Sequence, residues 1–172
     1  MSEIGLKIRL LGDPVLRGKA KKVKEIKESH RSLLSNMARM MYDSEGIGLA
    51  APQVGVDESL IVIDVGSGLY KLVNPRIVSC EGSQSFEEGC LSVPGVTVKV
   101  KRSKKIVVEA LDESGKPLKL EVQNLLACVF QHEIDHLEGK LIVDYIPFFK
   151  KILLKKKIIS SSRKARMENL KE

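Results

Sequence analysis

The chain has 172 residues, of which 43% are hydrophobic and 30% charged, so it can bury the core of one domain but hardly of two. No apolar run approaches the roughly 20 residues that cross a bilayer, and the first residues lack the apolar core of a secretion signal. Three cysteines without a C-x-x-C pair provide neither a disulfide framework nor a zinc-finger pattern. We therefore expect a soluble, cytoplasmic protein with one domain.

Charge divides the chain into two parts. Residues 1–149 carry 20 Lys and Arg against 20 Asp and Glu, whereas residues 150–172 carry 9 against 2, so the net charge of +7 belongs to the end of the chain. A uniformly basic nucleic-acid-binding domain would not divide its charge in this way. The pattern predicts a neutral domain over residues 1–149 and a basic helix or tail over residues 150–172.

The first elements in the chain are a strand, a turn and a helix. Residues 8–17 are typical of a short strand followed by a turn at Gly12, and apolar residues at helical spacing predict a helix over residues 25–42. The Met-rich stripe of that helix indicates core packing. His30 falls outside the stripe, so we expect it to be solvated on the surface.

A run of small residues, GIGLAAPQ, occupies positions 46–53. It has neither helical nor strand periodicity and could form a turn. Glycines also let another backbone approach closely, which a peptide substrate that adds as a strand would need. The run lacks the Gly-Lys-Ser/Thr ending of a phosphate-binding loop.

Segments rich in branched residues then predict several strands, with a turn at residues 112–115 between the last two. The predicted strands are 60–65, 70–73, 97–100, 106–111 and 118–122. Many strands between two helices favour an α+β fold, with antiparallel strands packed around the second helix.

That second helix contains the motif H-E-x-x-H. His132 and His136 are four residues apart, so both imidazoles can face one metal ion, with Glu133 beside them as a base. Asn124 is a suitable N-cap, and Gly139 is placed to end the helix. A chance match is the alternative, but unpaired imidazoles on an apolar stripe would be costly to bury.

A hydrolytic metal site needs a third protein ligand and an open position. Ile142 stands where the extended zinc-protease motif has its third His, and the Glu residues after Glu138 lie in the basic tail. The remaining candidates are the thiols of Cys80, Cys90 and Cys128. Cys90 has the most suggestive setting, in the loop sequence EEGCLSVPG, and a buried structural cysteine is the alternative there.

Three segments together resemble the signature motifs of the peptide deformylase family. They are GIGLAAPQ at 46–53, EGCLSVP at 88–94 and QHEIDHL at 131–137, and the similarity extends over about residues 8–145. The resemblance implies a bacterial, cytoplasmic hydrolase that removes the N-formyl group from the N-terminal methionine of newly made proteins and releases formate. An RNA- or ribosome-associated protein with a structural metal site is the alternative.

The resemblance also implies a catalytic centre. The ligands that it implies for one divalent metal ion, Fe(II) in the cell or otherwise Zn(II), are Cys90, His132 and His136. Glu133 would accept a proton from water and deliver it to the leaving amine. The Gln53 side-chain amide and the Leu91 backbone N–H would stabilise the tetrahedral oxyanion.

A further set of residues is implied to bind the substrate, whose backbone would lie against the small-residue run and whose Met side chain would enter an apolar pocket. The set is Ile47, Gly48, Phe86, Glu88, Gly89, Leu125, Cys128 and Val129. Arg102 and Asp135 could be surface charges or could support the metal ligands from behind.

From Pro147 onward the sequence predicts an amphipathic basic helix. Such a helix could pack on the domain, contact RNA or lie on an anionic membrane surface. Because the family acts on nascent chains, the resemblance makes ribosomal RNA the expected partner.

Overall fold

The computed structural model describes residues 6–147. Within this range the α-helices are α1, Glu28–Asp43, and α2, Asn124–Leu137. The strands are β1 Gly48–Ala50, β2 Leu60–Ile63, β3 Tyr70–Glu81, β4 Gln84–Glu88, β5 Val98–Arg102, β6 Lys105–Leu111 and β7 Pro117–Gln123. The helix predicted from Pro147 onward and the basic part predicted over residues 150–172 lie outside the described residues.

The strands form two antiparallel sheets. A larger sheet has the order β1-β2-β3-β6-β7, and β4 pairs with β5 in a smaller one. Two helices with antiparallel sheets confirm the predicted α+β class. Across residues 6–147, no helix is long and apolar enough to cross a membrane.

Strand β2 shows how the core is arranged, because all of its residues are buried. Ile61 and Ile63 pack in one cluster with Phe130 of α2, whereas Leu60 and Val62 pack in another with the apolar stripe of α1. Successive side chains of a strand point to opposite faces of its sheet. Helices α1 and α2 therefore cover opposite faces of the larger sheet.

Helix α1 confirms the predicted Met-rich core stripe and corrects one residue. Its fully or nearly fully buried residues are Leu34, Met37, Ala38 and Met41. The helix begins after Lys27, whose backbone N–H donates to His30 Nδ1 at 2.8 Å. The other ring nitrogen of His30 lies 3.5 Å from Glu58, and the side chain is only 11% exposed. The expectation of a solvated His30 is wrong, because its ring is held between a helix end and a carboxylate.

The strand predicted within residues 8–17 is also wrong. The Arg9 N–H donates to the Gln53 carbonyl at 2.7 Å, but the Leu11 N–H donates to the Ser92 carbonyl at 2.8 Å. Since these acceptors belong to two different segments, no strand ladder forms. The turn at Gly12 is present, and a short 3-10 helix, Pro14–Arg17, follows it.

The predicted strands 60–65, 97–100, 106–111 and 118–122 correspond to β2, β5, β6 and β7. Strand β3 continues beyond its predicted end because Asn74 adopts a positive φ of 53° at a bulge, after which pairing with β6 resumes. Strands β1 and β4 were not predicted. The first is very short, and the second, QSFEE, is mostly polar.

Candidate metal centre and substrate cavity

Helix α2 carries the H-E-x-x-H motif on its buried side. Gln123, rather than the predicted Asn124, is the N-cap, because Asn124 already lies within the helix bounds with a positive φ of 57°. The helix ends before Gly139, as predicted, and this glycine has a φ of 72°. A Cβ on Gly139 would lie 2.6 Å from the Arg17 carbonyl oxygen, so the close approach of the chain there requires glycine.

Three side chains of types that can bind a metal converge at this helix. One ligand atom from each of Cys90, His132 and His136 lies within 4.8 Å of the other two. The His136 Nε2 is 3.3 Å from the Cys90 sulfur and 3.2 Å from the His132 Nε2. A thiolate with two imidazoles is a donor set that suits Zn(II) or Fe(II), and three protein ligands leave a position for water or substrate. The side chains thus fit a single divalent ion.

The other two cysteines lie apart from this cluster. Cys80 is exposed on β3. Cys128 is buried one turn before His132, and its thiol donates to Glu88 Oε1 at 3.1 Å. Burial, followed by the charge of Glu88, raises the pKa of Cys128 to about 12, so this thiol stays protonated. Of the three candidates, the structure brings only Cys90 to the histidines.

Buried charged side chains, called the charged layer below, contact His132 on its Nδ1 side. The His132 Nδ1 lies 2.9 Å from Glu88 Oε2, and Arg102 donates to both oxygens of Glu88 at 2.8 and 2.9 Å. Burial alone would raise the pKa of Glu88, but hydrogen bonds from Arg102 and His132 outweigh it and lower the pKa to about 2. The ionised Glu88 therefore accepts a hydrogen bond from the His132 Nδ1–H, so Nε2 is the ring nitrogen directed toward the cluster with His136 and Cys90.

The same layer extends to Asp135, whose carboxylate accepts from Arg102 Nη1 at 2.5 Å. The Arg102 side chain is 4% exposed, so it is a buried charge between two carboxylates and not a surface charge. Desolvation would lower its pKa, but the hydrogen bonds to Glu88 and Asp135 raise it above the ordinary value. Of the two sequence interpretations, the one in which Arg102 and Asp135 support the histidines from behind matches this geometry.

The surroundings also shift the pKa values of the buried histidines and of Glu133. Burial, followed by the positive charges of His132 and Arg102, lowers the pKa of His136 well below its ordinary value, so its ring is neutral. Burial also disfavours a charge on His132, but its hydrogen bonds to Cys90 and Glu88 outweigh burial and raise its pKa well above the ordinary value, so metal binding would require its Nε2 proton to leave. Burial raises the pKa of Glu133 to about 7, a value suited to a base that gains and loses protons near neutral pH. Glu133 Oε2 has no hydrogen-bond partner among the described residues.

A cavity of about 550 Å³ opens beside these groups. Its walls include every residue predicted to bind substrate, namely Ile47, Gly48, Phe86, Glu88, Gly89, Leu125, Cys128 and Val129. Gln53, Leu91, Cys90, His132 and Glu133 also line it. His136 does not, because it is buried beneath the other ligands with 1% exposure.

Strand β1 supplies one wall of this cavity. It is the terminal strand of the larger sheet, so one of its edges is unpaired within residues 6–147. Gly48 is in close contact with helix α2: a Cβ at this position would lie 2.8 Å from Glu133 Cδ and 2.9 Å from Val129 Cγ1. The close contact at Gly48 is thus with side chains of α2, and the approach of a substrate backbone to residues 46–53 stays a prediction.

Gln53 is fixed in the 3-10 helix that follows β1, Ala51–Val54. Its Oε1 accepts from the Ala50 N–H at 2.9 Å. Its Nε2 lies 3.3 Å from Ser92 Oγ and 3.6 Å from the Cys90 sulfur. The amide N–H group is thus held at the ligand cluster by a buried, fully partnered side chain.

One residue of the charged layer was missed by the sequence analysis. Tyr145 lies after α2 in the 3-10 helix Ile142–Tyr145, and its hydroxyl contacts both Asp135 and Arg102. No periodicity or motif in the sequence marks it, since the contact depends on how the chain folds back after Gly139.

A thiol and two imidazoles within 4.8 Å, an adjacent carboxylate of raised pKa and an apolar cavity form a combination typical of mononuclear metal hydrolases. The family model for polypeptide deformylase matches residues 6–151. A peptide deformylase of Halothermothrix orenii is 52% identical over 143 residues, which cover 82% of this chain and 93% of that protein.

Solved structures agree with this match. The crystal structure of a peptide deformylase from Legionella pneumophila superposes with a TM-score of 0.88 at 44% identity, covering 94% of this chain and 97% of that one. A peptide deformylase from Synechococcus elongatus, solved in complex with actinonin, gives a TM-score of 0.84 at 41% identity, covering 91% and 90%. The chain belongs to the peptide deformylase family and is an enzyme of that class.

The contact between Gly48 and α2 gives a direct test of the cavity wall. Gly48→Ala should displace the Glu133 carboxylate, because the new methyl group would overlap Glu133 and Val129. A displacement of about 1 Å at a reacting group costs on the order of 100-fold in rate. We expect a loss of that size in kcat/KM for deformylation with the melting temperature little changed.

Gly18→Ala is the matched control, since its Cβ would meet nothing closer than the Val15 carbonyl oxygen at 3.7 Å. It should keep wild-type kcat/KM. Wild-type activity in Gly48→Ala as well would show that the backbone at β1 does not set the position of Glu133.

Proposed function

We propose that this enzyme hydrolyses the N-formyl group of N-formyl-methionyl peptides, releases formate and uses one divalent metal ion held by Cys90, His132 and His136. The observation that carries the proposal is the convergence of these three side chains at one wall of the cavity, beside a buried Glu133. Fe(II) is the proposed ion in the cell, and Zn(II) or another divalent ion could replace it, because the same donors suit several metals. When bound, such an ion polarises the substrate carbonyl and lowers the pKa of a bound water.

Glu133 is the proposed proton carrier. With its pKa raised to about 7 by burial, its carboxylate can accept a proton from the attacking water. As the C–N bond of the tetrahedral intermediate breaks, the same group delivers that proton to the leaving amine. Glu133 thereby returns to its ionised form, and the products are formate and a free N-terminal methionine.

Gln53 and Leu91 are the proposed oxyanion donors. The bonds of Gln53 to Ala50 and Ser92 direct its amide toward Cys90, so the N–H that contacts the Cys90 sulfur needs only to exchange that weak partner for the oxyanion. The Leu91 backbone N–H follows the Cys90 ligand directly in the chain. Donors fixed before the reaction stabilise developing negative charge most effectively.

The cavity walls support a peptide substrate with an apolar first side chain. We propose that the substrate backbone adds to the unpaired edge of β1 at Ile47 and Gly48, in the manner of strand addition. Gly89 also lines the cavity, and a Cβ there would meet no atom within 4 Å, so the backbone at Gly89 is also accessible.

The proposed pocket for the methionine side chain is formed by Phe86, Leu125, Cys128 and Val129. Cys128 remains neutral there because of its raised pKa. Glu88 lines the same cavity, but its carboxylate oxygens are bonded to Arg102 and His132. Its role in our proposal is therefore to orient His132, and any contact it makes with substrate would come from its backbone.

An RNA- or ribosome-associated protein with a structural metal site is the less favoured function. Structural zinc sites use four protein ligands, whereas the cluster found within residues 6–147 contains three candidate ligands. The basic residues 150–172 support a ribosomal contact as an additional property of the enzyme, and bacterial relatives agree with a cytoplasmic location.

The role of Glu133 is tested by replacing its carboxylate with an amide. Glu133→Gln should keep the metal content, because all three ligands remain, but should lose about 10²- to 10⁴-fold in kcat, which is the usual contribution of acid–base catalysis. Metal analysis and formate release from a formyl-Met peptide measure the two properties. Glu138→Gln, exposed at the end of the same helix, should be silent. Near-normal turnover by metal-loaded Glu133→Gln would rule out this residue as the base.

The ligand assignment is tested by single cysteine substitutions. Cys90→Ser should weaken metal binding by more than the 10- to 100-fold typical of outer-shell partners, because a direct ligand is lost. Cys80→Ser, on an exposed strand, and Cys128→Ser should retain the metal. Equilibrium dialysis under anaerobic conditions provides the dissociation constants. A metal content that depends on Cys80 or Cys128 instead would show that the site is misassigned.

The tail is tested by deleting the residues after Ser160, which removes the cations Arg163, Lys164, Arg166 and Lys171. Activity on a short formyl-peptide should be unchanged, while binding to purified ribosomes should weaken. The dependence of log K on log salt should flatten by roughly one unit of slope for each phosphate that the deleted cations neutralise. Equal ribosome affinity and salt slope in the truncated and full-length proteins would argue against a ribosomal role for these residues.

A further inference from the structure

Tyr145 completes a chain of hydrogen bonds that begins at a metal-binding histidine and ends near the surface. Its hydroxyl donates to Asp135 Oδ2 at 2.6 Å and accepts from Arg102 Nη1 at 3.1 Å. The Arg102 Cζ also lies 4.8 Å from the centre of the Tyr145 ring, within the range of a cation–π contact. Tyr145 therefore contacts Arg102 through both its ring and its hydroxyl.

From Arg102 the chain continues inward. Its Nη1 reaches Asp135, while its Nε and Nη2 form a bidentate pair with Glu88 at 2.8 and 2.9 Å. Glu88 Oε2 in turn lies 2.9 Å from His132 Nδ1. Tyr145 is 37% exposed, whereas the side chains of Arg102 and Glu88 are only 4% and 6% exposed. Each link is a direct contact, and no step requires a bridging water.

The orientation of Arg102 is the property that Tyr145 can control. A guanidinium is planar and can pair with a carboxylate through two N–H groups. Pairing with Glu88 fixes the plane of the Arg102 guanidinium only if its Nη1 side is also hydrogen-bonded. Asp135 and Tyr145 hold that side together, since Asp135 Oδ2, Arg102 Nη1 and the Tyr145 hydroxyl form a closed triangle of hydrogen bonds. Burial, followed by the bond to Asp135, raises the pKa of Tyr145 to about 12, so the hydroxyl is a donor at neutral pH.

We propose that Tyr145 is a positioning residue that fixes the ring of His132 for metal binding, acting through Arg102 and Glu88. The inference rests on the proposed metal site. It assigns a role to Tyr145, which lies after α2 and takes no part in the proposed reaction steps. Outer-shell partners of metal-binding histidines set the tautomer and ring direction of the ligand. Loss of the hydroxyl leaves the cation–π contact in place but opens the triangle that holds Arg102.

The test uses Tyr145→Phe together with a matched control, Tyr42→Phe. Tyr42 also donates to a carboxylate, Asp64, at 2.7 Å, but it is half exposed and is not part of the cavity wall. Both substitutions remove a Tyr–Asp hydrogen bond and keep the ring. If the hydroxyl had a purely structural role, its loss would change the melting temperature but neither the metal affinity nor the ligand geometry.

The readouts are the dissociation constant for Co(II), from chelator competition without oxygen, and the absorption bands of bound Co(II), which report ligand geometry. We expect Tyr145→Phe to raise the dissociation constant about 3- to 10-fold, at or below the lower end of outer-shell effects, and to shift the Co(II) bands. Tyr42→Phe should change neither. Asp135→Asn should also weaken Co(II) binding. The double variant with Tyr145→Phe should lose little further affinity, because both residues act through Arg102.

Three outcomes would overturn the inference. In the first, Tyr145→Phe matches wild type and Tyr42→Phe in both Co(II) affinity and absorption bands. In the second, the losses of Co(II) affinity from Tyr145→Phe and Asp135→Asn multiply in the double variant, as independent effects do. Should Tyr145→Phe fail to fold, a wild-type affinity in Asp135→Asn would contradict the same chain of contacts. A wild-type protein that does not bind Co(II) would instead refute the proposed metal site, and with it this inference.

Discussion

The buried guanidinium of Arg102 is the interaction on which the site depends. Arg102 extends from β5 and binds Glu88 at the end of β4 and Asp135 in α2, so one charge connects the smaller sheet to the catalytic helix. A buried Arg without partners would be strongly destabilising, and so would either carboxylate without Arg102. Because Glu88 also accepts a hydrogen bond from His132, the same ion pairs that join two elements of the fold orient a proposed metal ligand.

The remaining parts of the site are also fixed by elements of the fold. Helix α2 packs on one face of the larger sheet, with α1 on the other, so its histidines are supported by a well-packed core. Strand β1 belongs to that same sheet, and Gly48 allows its backbone to lie against Glu133. The proposed substrate edge, the proposed proton carrier and two of the proposed ligands are thereby held by one packed unit, as precise positioning for catalysis requires.

Local patterns in the sequence were sufficient for the parts of the site that lie on one element. The four-residue spacing of His132 and His136 determines which face of α2 carries them, and the Met-rich stripe of α1 predicted its buried face. Long-range pairings left no such pattern. The bonds of Arg102 to Asp135 and Tyr145 and the contact of His30 with Glu58 join residues distant in sequence. Choosing Cys90 over the other thiols required the resemblance to a family.

The central claim is that one thiolate and two imidazoles bind a single metal ion in this enzyme. X-ray absorption at the zinc edge of the reconstituted protein tests it most directly, because it distinguishes sulfur from nitrogen ligands by distance. With Cys90, His132 and His136 as ligands, the spectrum should show one sulfur at about 2.3 Å, two imidazole nitrogens at about 2.0–2.1 Å and a further light atom from solvent. A spectrum with no sulfur, or with two, would contradict the assignment.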